Sequence, residues 1–248
     1  MKILFIGESW HIHMIHTKGY DSFTSSRYEE GATFLLDCLK KAAIDITYMP
    51  AHEVLINFPT SLQELNQYDA IVISDIGSNT FLLPNNTFYG LEKTPNALNL
   101  IKEYTQNGGG LLMIGGYLTF MGIEGKGNWR NSQLADALPI EMFPHDDRVE
   151  CPEGIRPKTV LNNHTLLKNI SDNWPIFLGY NKVMAKQKAE TVVEINGDPL
   201  IVVGKYQKGR VACFTSDCAP HWGSPQFLQW ESYSQLWLNI LQAISKTE

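Results

Sequence analysis

The sequence predicts an α/β protein with a mostly parallel central sheet and β-rich extensions in its C-terminal half. Short apolar runs, each long enough for a buried strand, alternate with helical patterns in the first half of the chain. Strands that are apolar on both faces are typical of a parallel sheet covered by helices on each side. The runs that carry this prediction are residues 2–6, 69–74 and 110–114.

The first half of the chain is predicted in the order β-α-β-(α)-β-α-β. A long polar loop is expected over residues 11–26, followed by a helix over residues 27–43 with apolar residues at helical spacing. A short strand over 45–49 and a helical turn over 62–66 precede the third strand. A helix over 95–106 leads into the fourth strand.

The second half is less regular. Residues 140–190 are rich in proline-interrupted segments and are predicted to form an irregular β-rich insertion rather than an independent domain. We therefore expect residues 1–248 to form a single domain. The remaining predicted elements are a hairpin over 191–206 with an Asn-Gly-Asp turn, a strand over 210–215 and a helix over 227–244.

Composition limits the classes of function. The net charge is −6, and the basic residues do not cluster, so we expect no nucleic-acid partner. No apolar run approaches the ~20 residues of a membrane helix, so we expect no membrane association. The N-terminus runs directly into a strand pattern instead of a signal peptide. Four cysteines without metal-finger spacing indicate reduced thiols and a cytoplasmic protein.

A glycine-flanked strand over residues 108–120 is the most informative stretch. Its sequence, GGGLLMIGGYLTF, predicts a buried strand and a tight turn that presents Tyr117 at the rim of the sheet. Several α/β enzyme folds place their nucleophile at this position. Ligands of such sheets bind at the carboxyl ends of the strands. Here those ends are residues 8–10, 75–78 and 116–117.

Several motifs along the chain support a resemblance to a known family. They are the strand and turn over 108–117, the LADALP segment over 134–139, the NHTLL segment over 163–167, and Gly209-Arg210-Val211 through Thr215-Ser216-Asp217 with His221-Trp222. On these motifs the chain resembles the class I glutamine amidotransferase-like superfamily. More closely it resembles the "putative glutamine amidotransferase" branch, a relative of the ThuA-like proteins. The resemblance implies a flavodoxin-like three-layer sandwich.

The same resemblance argues against the reaction of the superfamily's glutaminases. Those enzymes use a Gly-x-Cys-x-Gly elbow and a downstream His-x-Glu, whereas Tyr117 stands here at the position of the cysteine and no His-x-Glu follows. The nearest candidates are Asp217 and His221, with different spacing. A phenol with a pKa of about 10 is a poor acyl-transfer nucleophile at neutral pH. We therefore expect no glutamine hydrolysis through a thioester.

Four groups at the strand ends are predicted to converge on one small-molecule pocket: Glu8, Asp75, Tyr117 and the Asp217/His221 pair. We predict catalytic roles for Tyr117, His221, Asp217 and Glu8, with carboxylate and imidazole as general base and acid and Tyr117 as proton donor or orienting group. The structural alternative is that Glu8 and Asp75 accept hydrogen bonds from helix or loop N–H groups.

The predicted substrate-binding residues are Trp10, Asp75, Gly116, Trp222 and Arg27. Arg27, expected at the start of the first helix, suits an anionic group, although a surface ion pair explains it equally well. Trp222 follows His221 at a strand end and either borders a ligand or closes the core.

Other patterns are weaker. His11, His13 and His16 near Glu8 are residue types that bind metals, but a polar loop over the pocket is favoured, and we predict no metal. Cys218 is favoured as a loop or core thiol. The glycine-rich residues 122–127 lack the Gly-Lys-Ser/Thr of a phosphate loop, and we predict no cofactor.

Two functions remain open at this stage. The first is a hydrolase or related acid/base enzyme, without the Cys-His-Glu triad, acting on a small polar metabolite; ThuA-like relatives imply a sugar derivative. The second is a catalytically silent ligand-binding or assembly protein. A homo-oligomer is compatible with the aromatic residues of the 140–190 segment.

Overall fold

An eight-stranded sheet runs through the centre of the molecule. The structure, a computed structural model, describes residues 1–246. The strands are β1 (Lys2–Gly7), β2 (Ser9–Lys18), β3 (Asp21–Glu30), β4 (Asp45–Met49), β5 (Ala70–Ser74), β6 (Gly110–Ile114), β7 (Ile140–Met142), β8 (Arg148–Ile155), β9 (Lys158–Thr159), β10 (Phe177–Asn181), β11 (Val183–Ala185), β12 (Glu190–Ile195), β13 (Asp198–Tyr206) and β14 (Gly209–Phe214).

The strand order of the central sheet is β4-β1-β5-β6-β14-β13-β12-β9. The first five strands are parallel to one another, and the last three continue the sheet in antiparallel pairs. The carboxyl ends of β1, β5, β6 and β14 therefore meet at one edge of the sheet. This architecture confirms the predicted α/β class with a mostly parallel sheet.

Helices cover both faces of the sheet. They are α1 (Thr33–Lys41), α2 (Ala51–Asn57), α3 (Leu62–Leu65), α4 (Asn79–Leu82), α5 (Asn85–Phe88), α6 (Ala97–Gln106), α7 (Pro225–Leu228) and α8 (Tyr233–Ile244). Because side chains alternate along a strand, Ile3 and Phe5 enter the core under α1 and α8, whereas Leu4 and Ile6 enter the core under α6. The two cores give the three layers of the sandwich.

The predicted loop over 11–26 and the predicted start of the first helix at residue 27 are wrong. Strands β2 and β3 form a two-stranded antiparallel ribbon over residues 9–30, with Ser9 opposite Glu30 and Lys18 opposite Asp21. Helix α1 begins only at Thr33. The polar residues that suggested a loop instead lie on a ribbon that is largely in solvent. Apolar residues alternate with histidines along β2, which is the period of a strand.

Residues 140–190 contain short strands that pair locally. Strand β10 pairs with β8, and β11 pairs with β7, in two separate two-stranded sheets. Strand β9 adds to the edge of the central sheet beside β12. Within residues 1–246, no helix has the length and apolar character needed to cross a membrane.

Candidate functional site

The turn after β6 brings Tyr117 to the edge where the parallel strands end. Gly116 has no room for a side chain, since a Cβ atom there would lie 2.6 Å from the Cγ atom of Asp75. Its backbone N–H donates to the Asn181 Oδ1 atom at 3.0 Å, and its carbonyl accepts from the Asn181 Nδ2 atom at 3.2 Å. The turn is thereby fixed from both sides, and the Tyr117 side chain stays half-buried at the rim.

A buried carboxylate supports the next part of the same turn. Asp147 accepts hydrogen bonds from the backbone N–H groups of Met121 and Gly122, at 2.9 and 2.8 Å. Its Oδ1 atom also accepts from the Asn181 Nδ2 atom at 2.9 Å. Asn181 and Asp147 therefore connect the end of β10 to the whole loop that follows β6. Buried polar groups linked in this way make a local structure rigid.

His221 contacts Tyr117 from the loop after β14. The two ring centroids are 4.2 Å apart, with the rings nearly perpendicular. The His221 Nδ1 atom lies 3.6 Å from the Oδ2 atom of the buried Asp217. The neighbouring Trp222 is buried and donates from Nε1 to Glu150 at 3.0 Å. At the sheet edge, Tyr117 thus contacts His221, and His221 in turn lies next to the Asp217 carboxyl group.

Arg148, at the start of β8, covers the other side of Tyr117. Its guanidinium carbon lies 4.8 Å from the centre of the Tyr117 ring, within the range of a cation–π contact. The same guanidinium pairs with Asp146 at 2.8 Å and lies 3.6 Å from Glu150. A shallow surface cleft lies beside Arg148, with Phe143, His145 and Lys182 among its lining residues.

Three carboxyl groups lie beneath this rim. Glu8 is buried, and its Oε2 atom accepts a hydrogen bond from Ser74 Oγ at 2.5 Å. Burial, together with the negative charges of Asp217 and Asp75, raises the pKa of Glu8 well above its usual range. Burial and the charge of Asp75 also raise the pKa of Asp217. Like charges this close do not all ionise readily, so the cluster retains protons at pH values where isolated carboxyl groups have lost them.

Asp75 accepts a hydrogen bond from the backbone N–H of Leu118, the residue after Tyr117 in the elbow. Its Oδ1 atom accepts from the Leu118 N–H at 2.6 Å. Desolvation raises the pKa of Asp75, and this hydrogen bond and the nearby His221 lower it. The amide after the elbow residue is a usual part of an oxyanion hole. In this structure the amide already binds a carboxylate of the same chain.

The two rim groups keep their neutral forms at physiological pH. Burial lowers the pKa of His221 below its ordinary value, although Asp75 and Glu150 oppose this shift. Burial, followed by hydrogen bonding to Glu150 and its charge, raises the pKa of Tyr117, and Arg148 acts in the opposite direction. A neutral imidazole can accept a proton and a protonated phenol can donate one, which is the pairing that acid/base chemistry needs.

Backbone strain coincides with the same positions. Glu8 and Asp75 have φ angles of 52° and 38°, and His221 has a φ angle of 148°. Non-glycine residues rarely adopt such values, and strained backbone concentrates at functional sites. Glu8, Asp75 and His221 are each held there by the surrounding loops.

The structure places the predicted site residues in two regions. Glu8, Asp75, Gly116, Tyr117, Asp217, His221 and Trp222 lie together at the sheet edge. Trp10 is at the base of the ribbon, where its indole contacts the space around Gly31 next to the Glu8 carboxylate. Arg27 is not at a helix start but on β3, where it pairs with Glu29 at 2.9 Å. Its substrate-binding role stays a prediction.

The three histidines near the N-terminus do not share one face of the ribbon. His13 and His16 contact Ser26 and Ser25 across the ribbon, at 2.8 and 3.0 Å. His11 packs against Tyr28 and the ring of His52. Alternation along β2 puts His16 on the opposite face from His11 and His13.

One group of possible metal ligands is found within residues 1–246. Ligand atoms of Glu8, Asp217 and Cys218 lie within 4.8 Å of one another, and all three residues are buried. Burial raises the pKa of the Cys218 thiol as well as those of the two carboxyl groups. Divalent cations bind the deprotonated forms of these groups. Within the chain, the Glu8 carboxylate accepts from Ser74, and the Cys218 sulfur lies 3.6 Å from the Ser74 hydroxyl.

Sequence reasoning missed four residues of this region. Arg148 and Glu150 flank Tyr117, while Asp147 and Asn181 hold the turn. All four come from the irregular 140–190 segment, whose pairing the sequence does not reveal. The one local signal is Asn181, a polar residue at the end of the largely apolar strand β10.

The fold and the elbow after β6 define a class I amidotransferase-like α/β protein. The family model described as "Putative glutamine amidotransferase" matches residues 2–246. The chain therefore belongs to this family, as the motifs around Tyr117 predicted. A comparison with curated proteins gave no match.

Solved structures extend this result. A cytoplasmic protein of Salmonella typhimurium is 62% identical, with a TM-score of 0.98 over 100% of both chains. A second cytoplasmic protein, of Salmonella typhimurium LT2, is 60% identical, with a TM-score of 0.96 over 99% of this chain and 100% of that one. Both relatives are described as cytoplasmic proteins, which agrees with the predicted location.

A ThuA-like protein of Parabacteroides merdae has the same fold at 11% identity. Its TM-score is 0.57, over 98% of this chain and 89% of that one. At this identity the likeness concerns the fold alone.

Proposed function

We propose that this protein is an acid/base hydrolase of a small polar or sugar-like metabolite, with His221 as general base and Tyr117 as hydrogen-bond donor. The observation that carries the proposal is the chain of contacts from Tyr117 to His221 to Asp217 at the strand ends, 4.2 Å between rings and 3.6 Å from Nδ1 to Oδ2. The Asp217 carboxyl group lies beside the imidazole without a direct hydrogen bond to it, and burial raises the pKa of Glu8 nearby.

The reaction follows from the neutral forms of the rim groups. His221 removes a proton from a water molecule, and the hydroxide attacks an electrophilic carbon of the substrate. Tyr117 donates a hydrogen bond to the oxygen that gains negative charge. The leaving group then takes the proton from His221. The charged and polar side chains of Arg148 and Glu150 beside Tyr117 suit a ligand with several hydroxyl groups.

The proposal excludes the thioester route to glutamine hydrolysis on two grounds. Tyr117 lacks a thiol, and burial and Glu150 keep its hydroxyl protonated. The Leu118 amide, which would stabilise a tetrahedral oxyanion, binds Asp75 instead. The thioester route needs both a thiol nucleophile and a free amide donor for the oxyanion.

The proposed activity is tested with a panel of chromogenic esters, amides and glycosides. We expect turnover by the wild type, a loss of about 100-fold or more in kcat/KM for His221→Asn, and a smaller loss of about tenfold for Tyr117→Phe. Matched controls are His13→Asn and Tyr28→Phe, which change the same residue types on the exposed ribbon and should leave turnover unchanged. Equal kcat/KM for His221→Asn and wild type would show that His221 is not the general base.

The pH profile gives a second criterion. Because burial lowers the pKa of His221, activity should rise with pH through a value below 6.5 and then level off. Because the pKa of Tyr117 is raised above 10, activity should fall only in strongly alkaline solution. A steep acid limb above neutral pH would contradict His221 as the base.

A second candidate function is a silent ligand-binding or assembly protein. The observation that favours it is the Asp75 carboxylate on the Leu118 amide, since this contact fills a position where a ligand would bind. A metabolite-library thermal-shift screen separates the two functions. A ligand that stabilises both wild type and His221→Asn while no panel substrate is turned over would favour this second function.

A further inference from the structure

Asp75 directly follows the central strand β5 and lies in a strained turn. Its φ angle is 38°, in the left-handed region that residues with a side chain rarely adopt. The chain then continues through Gly77 into the short helix α4. A strand, one strained residue and a helix form the kind of turn in which α/β hydrolases present a nucleophile. Because β5 pairs with β6, this turn lies beside the elbow that carries Tyr117.

The two oxygen atoms of the Asp75 carboxylate have different surroundings. Oδ1 accepts the Leu118 N–H at 2.6 Å, whereas Oδ2 accepts no hydrogen bond from residues 1–246. The residue is half-buried rather than enclosed, so a ligand at the rim can reach it. One oxygen thus fixes the orientation of the carboxylate, and the other is left for a ligand.

Asp75 differs in this respect from the other two carboxyl groups beneath the rim. Glu8 and Asp217 are only 1% and 2% exposed. Burial and neighbouring negative charge raise the pKa values of both well above their usual range. Desolvation raises the pKa of Asp75 as well, but the Leu118 N–H and His221 oppose this shift. Of the three carboxyl groups, Asp75 therefore combines access from the rim with partners that stabilise its ionised form.

Tyr117 and His221 border the same carboxylate. Gly116, which precedes Tyr117, lies so close that a Cβ atom there would be 2.6 Å from the Asp75 Oδ1 atom. The ring of His221 is 4.2 Å from the ring of Tyr117. Burial lowers the pKa of His221, and the charge of Asp75 opposes this shift, an effect that requires the two groups to be close. A carboxylate, a phenol and an imidazole therefore surround one point at the sheet edge.

We propose that Asp75 is the nucleophile of the hydrolase described above and that the substrate is a glycoside, an inference that rests on the proposed function. An ester or amide carbonyl needs a free N–H group to bind its oxyanion, and the Leu118 N–H is engaged by Asp75. A carboxylate displaces the leaving group of a glycoside at its acetal carbon, where no tetrahedral oxyanion forms. The arrangement around Asp75 therefore favours glycosides over esters and amides.

Two displacements then replace the direct attack of hydroxide on the intact substrate. In the first, Asp75 Oδ2 bonds to the acetal carbon, the bond from this carbon to the leaving oxygen breaks, and that oxygen takes the Tyr117 proton. In the second, His221 removes a proton from water, the hydroxide bonds to the same carbon, and the bond to Oδ2 breaks. The proton then passes from His221 to the Tyr117 phenolate, which it contacts, and all three side chains return to their starting forms.

Stereochemistry separates this pathway from direct attack by water. Two displacements at one carbon retain its configuration, whereas a single displacement inverts it. With a panel of nitrophenyl α- and β-glycosides, proton NMR of the first-formed sugar should show retention. Inversion would overturn Asp75 as the nucleophile and leave His221 as the base. Turnover of nitrophenyl esters or anilides but of no glycoside would overturn the substrate class alone, and no turnover of any class would overturn the proposed function as well.

Variants of Asp75 test the covalent step, with circular dichroism to verify folding. Asp75→Asn should lose about 1,000-fold or more in kcat/KM, because an amide is not a nucleophile. Asp21→Asn, at the exposed end of the ribbon, is the matched control and should keep wild-type turnover. A value for Asp75→Asn close to that of wild type would overturn the proposal.

Chemical rescue distinguishes a nucleophile from a residue that only supports the turn. In Asp75→Ala, sodium azide can occupy the place of the missing carboxylate and attack the acetal carbon. We expect azide to raise turnover about tenfold or more and to yield a glycosyl azide of inverted configuration, since only one displacement occurs. Folded Asp75→Ala that forms no glycosyl azide would overturn Asp75 as the nucleophile.

Discussion

The carboxyl ends of the parallel strands bury charged side chains, whereas the ribbon of residues 9–30 exposes aromatic ones. At the strand ends, the carboxyl groups of Glu8 and Asp217 are buried and engaged by neighbouring groups. On the ribbon, Phe23 and Tyr20 are exposed and contact neither core. Burying a carboxyl group costs free energy, and so does exposing an aromatic ring. Each arrangement therefore costs free energy that contacts elsewhere in the chain must offset.

The comparison also separates regions of high and low local stability. The turn after β6 is held by a network of buried side chains, whereas the ribbon is held mainly by its own cross-strand pairs. Substitutions in the first region should therefore change the free energy of unfolding, and similar substitutions in the second should not.

The largest expected effect is that of Asp147→Ala. The change removes the acceptor of the Met121 and Gly122 amides and one partner of Asn181. Leaving these buried donors unpaired should lower the free energy of unfolding by about 3 kcal/mol. Urea denaturation of the variant measures this loss. Asp21→Ala at the exposed end of the ribbon is the control, with an expected change within about 0.5 kcal/mol. Equal losses in both variants would contradict the difference between the regions.

The next effect is that of Gly116→Ala. The added methyl group would lie 2.6 Å from the Cγ atom of Asp75, so the elbow or Asp75 must move. We expect a loss of about 2 kcal/mol in unfolding free energy, within the range of overpacked sites. Gly77→Ala, where the nearest atom would be 3.5 Å away, should change the stability little. A thermal melt of both variants tests the elbow, and an unshifted Gly116→Ala would mean that the turn is not tightly fixed.

The smallest effect concerns the pH dependence of stability. A carboxyl group whose pKa is raised in the folded state destabilises that state when it ionises. The free energy of unfolding should therefore fall as pH rises from the unfolded-state pKa of Glu8 through its raised folded-state pKa. Glu8→Gln removes this titration while keeping an acceptor for Ser74. Its stability relative to wild type should increase from pH 5 to pH 8. Urea midpoints at the two pH values measure the change, and parallel curves would show that Glu8 is not the titrating group.

Much of the central fold could be predicted because its signals are local. The apolar runs of β1, β5 and β6 and the glycine turn before Tyr117 all lie within short stretches of sequence. Their parallel arrangement then follows from the intervening helices. Glu8, Asp75 and Tyr117 could be expected at one edge because the carboxyl ends of parallel strands meet there.

The remainder depends on contacts between distant segments. Arg148 reaches Tyr117 from across 31 positions, through a pairing of β8 with β10 that no periodic pattern announces. The ribbon was misinterpreted because its histidines and serines resemble a loop, although their alternation with Ile12 and Met14 has the period of a strand. In residues 11–26 the polar composition suggested a loop, whereas the alternation of polar and apolar residues indicated a strand.

Glu8 joins the two regions in a single residue. Its carbonyl accepts the N–H groups of Gly31 and Ala32, at 2.9 and 3.3 Å, so both ends of the ribbon meet at this residue. Its side chain meanwhile accepts a hydrogen bond from Ser74 at the edge of the sheet. The ribbon therefore extends about 33 Å from its attachment at Glu8. A single residue thus positions the ribbon through its backbone carbonyl and takes part in the buried carboxyl cluster through its side chain.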